Sequence, residues 1–119
     1  MSLYHQIVPF IVEHEYVKDL KPQEIVQMYY NLYWEDKWDD LGLPLAACML
    51  DTAVTMGKKQ AENFFKKSEG SYVAYLQLRL AKYKDLIHRD PSQKKFEKDW
   101  MGRVTDLRRF IDGKIQNPD

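Results

Sequence analysis

Two sets of carboxylates sit where they could do chemistry. Glu13 and Glu15 flank His14, beside Tyr16, at the end of an apolar stretch. An acid at a cleft edge loses part of its hydration, and that raises its pKa toward use as a general acid. A solvated helix terminus is the plainer reading of the same residues. Asp51 differs, because it lies inside the apolar run Leu50-Asp51-Thr52-Ala53-Val54. A carboxylate there must find donors or carry a heavy desolvation penalty. The expected donors are a neighbouring loop or an aromatic hydroxyl, and the alternative role for Asp51 is that of a second active-site acid.

Other chemistries find less support. His5, His14 and His88 share no ligand spacing with Cys48, and His14-Glu15 is followed by Tyr16-Val17-Lys18. The zinc-protease pattern of two histidines four apart is therefore absent, and no metal site is predicted. The glycines are scattered instead of serial, so no phosphate-cradling loop and no nucleotide cofactor is expected. Lys66, Lys67, Arg79, Lys82 and Lys84 are interspersed with acids and read as a solvated helix face, not as a nucleic-acid stripe. Cys48 falls in the apolar run Leu45 to Leu50 and reads as a small buried hydrophobe.

Helices must position these groups. Leu3 to Val17 reads as a first helix that Pro9 starts or kinks, since proline removes a donor and clashes one turn back. Pro22 opens a second, where Ile25, Met28, Tyr29 and Leu32 keep helical spacing up to the acidic loop Glu35 to Gly42. Leu43-Pro44 starts a third helix, which Gly57 stops and which is predicted to be the most buried. Lys58 to Lys67 forms a fourth, with Ala61, Phe64 and Phe65 inward, and Ser68-Glu69-Gly70-Ser71 turns the chain. Tyr72, Tyr75, Leu76, Arg79, Leu80, Tyr83 and Ile87 define a long fifth helix. Asp90 and Pro91 cap and open the next. Its stripe is Phe96, Trp100, Val104, Leu107 and Ile111, and it frays at Gly113 and Pro118. No stretch alternates with period two long enough for a strand. The fold class is all-α: one compact bundle of five to six helices.

Composition agrees. The chain has 119 residues, 45% of them hydrophobic and 30% charged, which suits one core with a charged surface. Eighteen basic residues balance eighteen acidic ones, so no global field draws it to nucleic acid or an anionic membrane. No apolar run approaches the ~18–20 residues of a membrane span. The start Met-Ser-Leu-Tyr-His-Gln lacks a basic region, and Ile7 to Val12 is broken by Pro9, so no signal peptide is predicted. The expected location is the cytoplasm.

Several segments carry a family resemblance. The sequence reads Tyr29-Tyr30-Asn31-Leu32-Tyr33-Trp34, then Leu43-Pro44-Leu45-Ala46, then Leu50-Asp51-Thr52-Ala53-Val54-Thr55-Met56-Gly57. Ala61 and Phe64-Phe65 follow, and Phe96 to Val104 contains Asp99-Trp100-Met101-Gly102-Arg103. In order and spacing these elements resemble glycoside hydrolase family 108, the lysozyme-like peptidoglycan hydrolases of phages and bacteria. Residues 1–42 resemble the family's catalytic part, shortened, and 43–113 its peptidoglycan-binding part. The family's Glu-Gly-Gly-Tyr motif falls on Glu13-His14-Glu15-Tyr16 without gaps, or on Glu15-Tyr16 with one, and both glycines are replaced. The glycine-rich stretches that build the family's cleft are missing, because Asp19 runs directly into Leu20-Lys21-Pro22.

The resemblance implies a helical frame without its cleft-forming insertions. It implies a reduced relative that binds glycan or a protein partner, with Tyr16, Trp34 and Trp38 as candidate ligand-binding rings. Trp38, in the acidic loop, is the tryptophan expected to be exposed. A minimal muramidase is the alternative, with Glu13 or Glu15 as general acid and Asp51 as a possible second acid. An unrelated helical interaction module is the remaining reading. No cofactor is implied by any of the three.

Overall fold

Helix α3, Leu43–Met56, organises the fold because every residue from Ala46 to Ala53 is buried. A helix that is apolar nearly all round has no solvent face and must sit between neighbours. The computed structural model describes residues 2–15 and 19–116. Among them, α1 is Leu3–His14, α2 Pro22–Leu32, α4 Lys58–Ser68, α5 Tyr72–Arg89 and α6 Glu97–Gln116. Short 3₁₀ turns occupy Asp36–Asp40 and Pro91–Phe96, and no strand is present among the described residues. The fold is one all-helical domain, as the periodicity predicts.

Helices α1, α4, α5 and α6 all pack against α3. Helix α1 supplies Tyr4, Ile7, Val8, Phe10 and Ile11 to the core, and Ser2 caps its first turn. Pro9 neither starts nor ends this helix, which continues through it to His14, five residues on. Pro9 itself is exposed, so its ring lies on the outer side while the buried residues hold the opposite face. The Tyr4 hydroxyl donates to the Val26 carbonyl and ties α1 to α2. Helix α2 is the loosest member: Ile25 and Tyr29 are buried, whereas Leu32, expected on the same face, is 54% exposed.

Two further expectations change. Pro91 opens a 3₁₀ turn instead of the last helix, which begins at Glu97 and runs past Gly113 to Gln116. Phe96 therefore leaves the buried stripe that Val104, Leu107 and Ile111 continue, while Trp100, inside α6, is partly buried and packs against the core. Arg79, read from sequence as part of a solvated basic face, is fully buried. Val17 and Pro118 lie outside the described residues.

The α3–α4 junction rests on one residue. Gly57 is at once the last cap of α3 and the first of α4, with φ +94° and ψ 157°. A side chain there would meet no atom within 4 Å, so the requirement for glycine is purely torsional. Gly57→Ala is expected to lower stability by about 1–3 kcal/mol. Urea unfolding followed by circular dichroism should show a lower midpoint with an unchanged slope.

Candidate functional site

Asp51 lies on α3 with no solvent exposure, and two arginines meet it from two other helices. From α5, Arg79 Nη1 donates to Oδ2 at 2.6 Å. From α6, Arg103 Nε and Nη2 both donate to Oδ1, at 3.1 and 2.8 Å. The sequence expectation of a loop or an aromatic hydroxyl as donor is thus replaced by two guanidiniums. The fork geometry of arginine suits this role, because it can present two parallel donors to one carboxylate. Tyr83, one turn on from Arg79, accepts from Arg79 Nη2 at 3.3 Å.

The network continues outward from Arg103. Its Nη1 lies 3.4 Å from Glu15 Oε2 and 3.5 Å from the His14 carbonyl, which is at the C-terminal end of α1. Helix ends leave carbonyls without internal partners and carry a partial negative charge, so a cation there is favoured twice. His14 adds a second tie to α6. Its Nδ1 lies 2.9 Å from the Phe10 carbonyl, its Nε2 lies 3.2 Å from Asp106, and its ring stacks on Phe10 at 4.0 Å. Two acids, Asp51 and Glu15, therefore balance two bases, Arg79 and Arg103.

Burial alone would push the Asp51 carboxyl up, but the neighbouring charges of Arg79 and Arg103 outweigh it and hold the group below its usual range. The arginines respond in the opposite sense: burial disfavours their charge, and Asp51 more than restores it. Asp51 is therefore an ionised structural acid. It is also unreachable by a substrate, which removes it as a second active-site acid. The arrangement has a cost, since Arg79 Nε is buried with no hydrogen-bond partner among the described residues.

Above this network lies an open groove of about 930 Å³. The end of α1 contributes His14 and Glu15, the end of α3 contributes Val54 to Met56, α5 contributes Lys82 and Tyr83, and α6 contributes Trp100 and Arg103. Trp100 is flanked by stacked rings, Tyr83 at 4.8 Å and Phe96 at 5.6 Å, and Phe96 is 39% exposed. Helical periodicity places all three rings on inward stripes: Tyr83 is buried and Trp100 packs against the core, while Phe96 falls in the 3₁₀ turn and is exposed. Arg79 was legible in principle, as an arginine in register with inward Tyr75, Leu76 and Tyr83 facing an inward aspartate.

The remaining predicted residues divide. Glu15 lines the groove, whereas Glu13 is exposed and is not part of its lining. Tyr16 lies outside the described residues. Trp38, expected to be exposed, is 1% exposed, and Trp34 is buried as well, packed edge-to-face on it at 5.4 Å. Neither indole offers a face to a ligand. The reason is that the acidic segment coils into a 3₁₀ turn whose charged residues point out while its one large ring covers the core. Cys48 is buried as expected, and burial pushes its thiol upward in pKa. No cluster of histidine, cysteine and acidic residues able to hold a metal occurs among the described residues. No described helix is long and apolar enough to cross a membrane.

Comparison with known proteins gives no match, whether to a protein-family model, a curated protein or a solved structure.

Removing the carboxylate while leaving both guanidiniums should be severe. Asp51→Asn is expected to destabilise the fold by about 3–5 kcal/mol, because the buried Arg79 and the partly buried Arg103 lose their shared counter-charge. The pH dependence follows the same logic. A carboxyl depressed in the folded state contributes stability that is fully present above its unfolded value, 3.8. That stability is lost as pH falls below this value through the folded one. Acid titration of wild type by near-UV circular dichroism should therefore show unfolding beginning below about pH 4. In Asp51→Asn this acid-dependent component should be absent.

Proposed function

We propose that this chain is a noncatalytic relative of the lysozyme-like peptidoglycan hydrolases, and that it binds peptidoglycan in the groove above Asp51. One observation carries the reading. The two segments with the family resemblance, Leu50 to Gly57 and Phe96 to Val104, are far apart in sequence. They meet through the Asp51–Arg103 pair and line the same groove. A resemblance scattered by chance would not have to converge on one buried interaction and one cleft.

The chemistry of the groove favours binding over hydrolysis. Sugar rings present apolar C–H faces that pack on aromatic and apolar side chains, and Trp100, Tyr83 and Leu86 line the groove. Polar side chains along the other walls can meet hydroxyl and amide groups. Cleavage of a glycosidic bond uses a pair of carboxylates at a fixed separation. Here Asp51 is sealed off, Glu13 lies outside the groove, and Glu15 is engaged by Arg103. The muramidase reading keeps one specific support, namely that Glu15 does line the groove.

Co-sedimentation with purified peptidoglycan sacculi tests the proposal. Wild type should pellet with the sacculi. Trp100→Ala should reduce binding about ten-fold, the scale expected from losing one stacked ring at roughly 0.5–1.5 kcal/mol plus its buried area. Reducing-sugar release should stay at background. Release by wild type that disappears in Glu15→Gln would establish the muramidase instead, and no pelleting with no release would sink both.

A further inference from the structure

The three donor nitrogens of Arg103 are unequally employed. Nε and Nη2 both donate to Asp51 Oδ1, at 3.1 and 2.8 Å, on a carboxylate with no solvent exposure. That pair of bonds fixes the plane of the guanidinium. Nη1, the remaining nitrogen, is turned toward Glu15 and the His14 carbonyl at 3.4 and 3.5 Å, both at the long limit of useful contact. Arg103 is 14% exposed and Glu15 27% exposed, and both line the groove. The arginine is therefore rigid on its inner side and loosely occupied on its outer side.

The groove holds a second cation outside any ion pair among the described residues. Lys82 lines the same groove, is half-buried, and forms no ion pair among the described residues. The groove's acids besides Glu15 are Asp99 and Asp106, and Asp106 is already met by His14 at 3.2 Å. A half-buried lysine and a loosely engaged arginine in one cleft fit an incoming anion.

We infer that Nη1 of Arg103 receives a carboxylate of the ligand, and that Glu15 is the internal group which that carboxylate displaces. The exchange conserves charge: one carboxylate leaves Arg103, another takes its place, and the Asp51–Arg79–Arg103 core stays neutralised as before. The ligand class is a carboxylate-bearing muropeptide. Its acid group comes from the stem peptide or, where the peptide has been stripped, from the lactyl group of the muramic acid. This inference rests on the groove-binding reading above and adds the group by which the ligand is chosen.

The test is a titration of the ¹⁵N-labelled protein, followed at the Arg103 Nε–H resonance and at groove amides. The probes are N-acetylmuramyl-L-alanyl-D-glutamate, the same compound with both carboxyls amidated, N-acetylmuramic acid, and acetate. The free acid should bind about ten-fold more tightly than its amide, since charge-assisted hydrogen bonds are roughly twice as strong as neutral ones. Glu15→Gln, a change at a partly exposed helix end, should tighten the acid about two- to five-fold and leave the amide unchanged.

Equal affinities for acid and amide in wild type would overturn the inference, and so would a Glu15→Gln variant with no gain for the acid. Either result alongside intact sacculus binding would leave the groove reading standing. If acetate binds as tightly as the muramyl compounds while sacculi do not pellet, the carboxylate site stands and the peptidoglycan reading falls. Preference for N-acetylmuramic acid over the muramyl peptide would assign the lactyl group as the source, and the reverse would assign the stem peptide.

Discussion

An aspartate with no access to water stands at the centre of a chain of only 119 residues, and its neutralisation dictates much of the remaining architecture. Taking a carboxylate out of water costs several kcal/mol even after relaxation, and the loss is recovered only if well-placed cations take over from the solvent. Asp51 therefore requires α5 to bring Arg79 and α6 to bring Arg103, each in the correct register. A one-residue slip of either helix would turn its guanidinium away by about 100°. Apolar packing tolerates such sliding far better, because a leucine stripe accepts many neighbours. The buried charge thus selects one packing among the several that the apolar stripes permit.

The same constraint reaches the surface through Arg103. This side chain is bound to the core by two nitrogens and to the end of α1 by the third. The groove therefore has a floor that is fixed and a rim, formed by His14 and Glu15, that is attached by longer contacts. Stability and recognition use the same residue but opposite edges of it. A substitution at Arg103 cannot separate the two, whereas one at Glu15 or Trp100 can.

Helix order and extent were legible in the sequence wherever apolar spacing was long and the ends were marked by proline, glycine or aspartate. Helix α3 came through closely, from the Leu43-Pro44 start to the Gly57 stop. Legibility failed in two ways, both physical. Spacing rules assume a uniform helix, so the 3₁₀ turn before Glu97 takes Phe96 out of the core stripe and leaves it exposed. Charge was equated with exposure, so Arg79 was read as solvated even though it shares the inward face of α5 with Tyr75 and Tyr83. The reverse error hid Trp38, whose acidic neighbours mask a ring that faces inward. At the site, Glu15 was found and Asp51 was recognised as exceptional, but the guanidiniums that explain Asp51 were seen only in three dimensions.

Cys48 gives the domain a built-in clock. It stands on α3 three residues before Asp51, fully buried, and burial disfavours the thiolate that alkylating reagents attack. A reagent reaches the sulfur only when α3 leaves its neighbours, and α3 cannot leave without uncovering the Asp51 charge. The labelling rate of one native thiol therefore counts the openings of α3 against its neighbours.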